Sequence, residues 1–144
     1  MKADAQTEAA VIAALEQFQH AAEQGDVESF LATCAPDADI VFIGTGADER
    51  RVGRAELQRQ LERDLSQSEQ LSFDFDWHTI SAAGSVASVA TTGMGHAQVA
   101  GQSVDFLYRL TGVLEHRGDR WLWVQMHASV PAPGQAEGQS FPTS

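Results

Sequence analysis

A chain of 144 residues suits a single domain with a proper core, and its formal charge of −11 (20 acidic against 9 basic residues) repels phosphate backbones and anionic lipid. Nucleic acid and membrane surfaces are therefore disfavoured as partners. Cys34 is the one cysteine, so there is neither an internal disulfide nor a Cys-rich metal site, and without a signal-type segment or a run of about 20 apolar residues the expectation is a soluble, cytoplasmic protein.

From Thr7 to Gln24 the positions Val11, Ala14, Leu15, Phe18 and Ala22 recur at helical spacing, and Gly25 ends that helix. His20 lies on the opposite, solvated side. Asp26 can cap a second, short helix whose buried stripe is Val27, Phe30, Leu31 and Cys34, stopped by Pro36. The run DIVFIG (39–44) reads as a short strand and GTGADERRVG as a polar loop. Within it, Asp48, Glu49, Arg50 and Arg51 pair with one another on the surface or form a charged lip to a cavity. A third helix begins near Arg54, with Leu57, Leu61 and Leu65 making one narrow apolar edge.

After Gln70 the period changes to two. In LSFDFDWHTIS, Phe73, Phe75 and Trp77 alternate with Asp74, Asp76 and His78, giving a dry and a wet face. The wet trio invites a metal reading, but alternation alone accounts for it and no metal is expected. SVASVATTGMGHA follows with glycines suited to a sharp bend; parity from Met94 would turn His96 inward, but those glycines interrupt the count and leave its direction open. SVDFLYRLTGVLEHR and RWLWVQMHASV are joined by a Gly118-Asp119 hairpin turn. The order is thus three helices and then a four-stranded antiparallel meander. The tail 132–144, small and polar apart from Phe141, cannot bury enough apolar surface to order itself and is expected to be disordered.

Helices first and a curved antiparallel sheet second, with AAEQGDVESFLATCAPDADIVFIG at the front and YRLTGVLEHRGDRWLWVQMHASVP at the back, resembles the SnoaL-like branch of the nuclear-transport-factor-2-like superfamily across residues 7–131. The resemblance implies an α+β cone, in which three N-terminal helices pack on a strongly curved antiparallel sheet around an internal cavity. It further implies a small hydrophobic guest and, often, a homodimer. Ketosteroid isomerase, of the same superfamily, uses an Asp base with a Tyr and a protonated Asp as oxyanion donors. Its pattern falls here on Phe42, Phe18 and Phe106. Phenylalanine neither moves a proton nor donates to an oxyanion, which argues against that chemistry and for an apolar, aromatic-walled cavity.

Strand parity supplies the remaining candidates. With Phe106 inward, Tyr108 and Leu110 point inward too. On the last strand, Trp121 and Trp123 inward would bring Gln125, His127 and Ser129 with them. His127 and Tyr108 are the candidate catalytic pair, His127 because an imidazole titrating near ~6.5 is readily tuned across neutrality. Phe18, Phe42, Trp77, Phe106, Trp123, Gln125 and Ser129 are the candidate ligand contacts. The bland alternative makes His127 a hydrogen-bonded rim histidine and the rings plain core. Two functions stay open: a cofactor-free isomerase, cyclase or lyase acting on a hydrophobic guest, and a non-catalytic ligand-binding or dimeric association module.

Overall fold

The computed structural model describes residues 1–143. The elements in chain order are α1 (Ala5–Gln24), α2 (Val27–Ala32), β1 (Val41–Ile43), β2 (Arg50–Val52), α3 (Arg54–Gln67), β3 (Gln70–Ala83), β4 (Val86–Val99), β5 (Gln102–Arg117) and β6 (Arg120–Ser129). The expected α+β architecture, with N-terminal helices on a curved sheet, is what forms. The helix ends follow local chemistry. Asp4 caps α1 by accepting from the Thr7 N–H at 2.8 Å, Gly25 closes it in the left-handed region, and the Asp26 carboxylate caps α2 through the Ser29 N–H at 3.0 Å.

The six strands run in the order β2-β1-β6-β5-β4-β3. All neighbours are antiparallel except β1, which lies parallel to β6. The segment read as a loop after β1 therefore holds a strand of its own: β2 turns back on β1 as a hairpin, with Phe42 opposite Arg51. Three residues are too few to show a period of two, so the pairing was hidden by the charges of Arg50 and Arg51.

The sheet is bent by two bulges that alternation does not announce. Asp76 is an extra residue of β3, since Phe75 faces Gly93 and Trp77 faces the next residue, Thr92. Val124 is extra in β6, since Trp123 faces Leu114 and Gln125 faces the adjacent Val113. One extra residue exchanges the inward and outward sets of everything that follows. Close approach helps to curve the sheet as well: a Cβ at Gly95 would strike the ring of Phe106, and one at Gly112 would strike Trp123. The core, with Val11, Leu15, Phe18, Leu110, Leu114, Trp123 and Met126 all buried, lies between α1, α2 and the inner sheet face. Cys34 belongs to it, and burial pushes its thiol up to about 11, so it is inert packing. No helix among the described residues is long and apolar enough to cross a membrane.

Candidate functional site

Between the helices and the sheet lies a cavity of about 430 Å³. Six aromatic rings line it: Phe18 from α1, Phe30 from α2, Phe42 from β1, Phe73 from β3, and Phe106 and Tyr108 from β5. The rings hold one another in place. Phe73 lies 4.6 Å from Tyr108 and Phe18 lies 5.1 Å from Phe30, centroid to centroid, within the range where offset and edge-on pairs are favourable. Exposed lining residues such as Thr45, Gln67 and Val99 mark where the cavity meets solvent.

The three positions that the isomerase comparison assigned to Phe18, Phe42 and Phe106 do face one hollow, together with Tyr108. The remaining sequence candidates do not. Trp77 follows the Asp76 bulge and is 53 % exposed on the outer sheet face. Trp123 is fully buried in the core and does not line this cavity; its indole N–H has no acceptor among the described residues. Gln125, His127 and Ser129 follow the Val124 bulge. Their expected inward orientation is corrected: the inward residues there are Met126 and Ala128, while Gln125 and His127 are exposed and the Ser129 hydroxyl accepts from Arg109 Nε at 3.0 Å on the outside. His96 also points outward, because it stays in step with Met94, and its ring is held between Asp105 (2.8 Å) and Asp74 (3.0 Å). Both carboxylates raise its pKa, Asp105 most. Among the described residues no group of three or more His, Cys, Asp or Glu is arranged to hold a metal ion.

The polar part of the cavity wall comes from residues that alternation and aromatic spacing passed over. Glu49, after β1, and Asp64, on α3, both line it. Gln60, fully buried on α3, ties them together: its amide donates to Asp64 Oδ1 at 2.7 Å and to Glu49 Oε1 at 3.2 Å, while its carbonyl accepts from Arg51 Nε at 2.9 Å. Arg63 completes the group, reaching Asp48 at 2.8 Å and Glu49 at 3.2 Å. Asp48, Glu49 and Arg51 therefore pair with α3 rather than with each other, and Glu49 lines the cavity. Gly44 and Gly46 let the loop close around that carboxylate, with the Gly46 N–H donating to Glu49 Oε2 at 2.8 Å. A signal for Gln60 and Asp64 was present: they sit three and seven residues after Leu57, beside Leu61 and Leu65, and so border the apolar edge instead of the solvated face.

Burial raises the pKa of Asp64, with the charge of Glu49 adding to it, against the opposing pull of the Gln60 hydrogen bond and the two arginines. Burial likewise raises that of Tyr108, and the nearby charges of Asp64 and Glu49 push it further, so its hydroxyl stays protonated at any physiological pH. Tyr108 is 8 % exposed and its hydroxyl has no hydrogen-bond partner among the described residues, yet it is not one of the sealed polar atoms. It therefore opens onto the cavity. A neutral donor and a carboxyl with one unengaged oxygen thus share an aromatic, largely apolar space.

Residues 11–133 match the SnoaL-like domain family, and the chain belongs to it. No curated protein matches the chain. Among solved structures, it resembles a proposed dehydratase of the NTF2-like family from Streptomyces avermitilis, with 22 % identity, a TM-score of 0.80, and coverage of 88 % of this chain and 97 % of that one. It also resembles an NTF2-like superfamily protein from Salmonella enterica serovar Typhimurium LT2 (14 % identity, TM-score 0.84, 96 % and 100 % covered). A third is a proposed calcium/calmodulin-dependent protein kinase II association domain from Xanthomonas campestris (22 % identity, TM-score 0.76, 85 % and 86 % covered). At these identities the likeness speaks for the fold alone.

Proposed function

We propose that the protein binds a small hydrophobic organic molecule in the aromatic cavity and acts on it by acid–base chemistry, as an isomerase, cyclase or lyase that needs no cofactor. The observation that carries this reading is that the Tyr108 hydroxyl, unpartnered among the described residues, and the Asp64 carboxyl line the same largely apolar cavity. In such a site the Tyr108 O–H donates to a substrate carbonyl oxygen. The unengaged Asp64 oxygen takes a proton from the adjacent carbon, whose C–H electron pair moves into the forming enolate. A raised carboxyl pKa strengthens that base. His127, on the far side of the sheet, has no part in it.

The test uses 2-tetralone in D₂O, with loss of its α-protons followed by NMR. Exchange faster than in buffer, and abolished in Tyr108→Phe and Asp64→Asn, is the expected result. Binding with exchange no faster than in buffer would leave the non-catalytic reading standing.

That second reading, an association module, is favoured by a different observation. The outer sheet face is open and presents Trp77 (53 % exposed) and Leu107 (57 % exposed) around Arg109. A second copy of the chain packed on this face would make a homodimer. Sedimentation equilibrium should then report twice the monomer mass for the wild type, and the monomer mass for Trp77→Glu.

A further inference from the structure

We infer that the cavity selects its guest by charge: it takes a hydrophobic molecule carrying a basic, protonated nitrogen in preference to a neutral one, and rejects carboxylates and phosphates. This rests on the cavity reading above, but not on any reaction. Three charged side chains line the cavity, Asp26, Glu49 and Asp64, and all are acidic. The basic groups nearest them are turned away and engaged: Arg63 is held by Asp48 and Glu49, and Arg51 by the Gln60 carbonyl.

Within the connected group of Asp48, Glu49, Asp64, Arg51 and Arg63, three carboxylates face two guanidiniums. Asp64 carries the surplus negative charge; burial first, and the charge of Glu49 after it, raise its pKa. One of its oxygens is taken by Gln60; the other has no partner among the described residues. An ammonium there would satisfy that oxygen, and its flank would meet the π-faces that attract cations, those of Tyr108 and the surrounding Phe rings. The Tyr108 hydroxyl, which opens onto the same cavity, has no partner among the described residues and can accept as well as donate, so it offers the guest a further polar contact. An anion would meet the Asp64 carboxylate instead.

Three probes on one frame decide it: 1-naphthylmethylamine, 1-naphthalenemethanol and 1-naphthoic acid, titrated into the full chain at pH 7.5 by calorimetry. The amine should bind about tenfold more tightly than the alcohol, and the acid more weakly than either. In Asp64→Asn, whose amide oxygen can still accept from Gln60, the ratio of amine to alcohol affinity should fall to about one. Equal affinities for the three, a preference for the acid, or an amine preference that survives Asp64→Asn would each overturn the inference and leave the cavity intact as a binding site. Failure of all three probes to bind would overturn the cavity reading itself.

Discussion

The Gln60 side-chain amide, sealed from solvent, donates to Asp64 Oδ1 at 2.7 Å, so the orientation of the carboxyl that faces the cavity is set by a neutral group rather than by an arginine. The carboxyl is held without being neutralised. That is why burial can raise its pKa although two guanidiniums stand close by.

This arrangement fixes the sign of a stability effect. A carboxyl whose folded-state pKa lies above its unfolded value costs stability once it ionises, and the cost fades as pH falls through the raised pKa towards the ordinary Asp value of about 3.9. Asp64→Asn should therefore be more stable than wild type at pH 7 to 8, with the gain shrinking through the acid range. Urea unfolding at several pH values checks it; a loss of stability at pH 7.5 would contradict it.

Gln60 itself is expected to be costly to replace. Gln60→Leu keeps the volume but deprives Asp64, Glu49 and Arg51 of a shared partner, and each half-buried polar group left unpaired costs about 1–3 kcal/mol. Denaturant midpoints should fall accordingly. A variant as stable as wild type would mean that water replaces the amide at no cost.

Tyr108→Phe should separate function from folding. The hydroxyl forms no hydrogen bond among the described residues, so its removal should change stability by less than about 1 kcal/mol, while α-proton exchange on a bound ketone is lost. A large drop in melting temperature would reveal a structural partner for the oxygen.

The outer-face histidine should give a pH signature of its own. Asp105 and Asp74 raise the pKa of His96, so its contribution to stability is fully present below the ordinary His value of about 6.5 and disappears as pH climbs through the raised one. His96→Gln should be less stable than wild type near pH 5.5 and equal to it near pH 9. A pH-independent difference would rule out the charged pairing.

At Gly95 packing and cavity shape are joined, because the ring of Phe106 lies where a side chain would begin. Gly95→Ala should displace that ring and cost about 1–3 kcal/mol, as overpacking does, and should weaken binding of 1-naphthalenemethanol. Unchanged binding would show that the ring can give way without entering the hollow.

The helices, their caps and the inward set Phe106, Tyr108 and Leu110 were legible because each depends on neighbours three, four or two residues away. What failed was counting past a bulge. Nothing at Asp76 or Val124 resembles a turn residue, so alternation carried Trp77 inward from Phe75, and His127 inward from Trp123, where the structure has both outside. The polar wall was missed for another reason. Its members come from a loop and a helix about ten residues apart, joined by an amide whose burial depends on tertiary packing, and Glu49 and Asp64 looked like ordinary surface charge until Gln60 connected them.

The insertion at Val124 has an evolutionary and practical corollary. Deleting that one residue would straighten β6 but leave Gln125 opposite Val113 and Met126 and Ala128 facing inward, because the residue removed is the one without a partner across the ladder. A lineage built on this scaffold can therefore retune the curvature of the sheet through a single codon deletion, with the inward set and every other strand left in register.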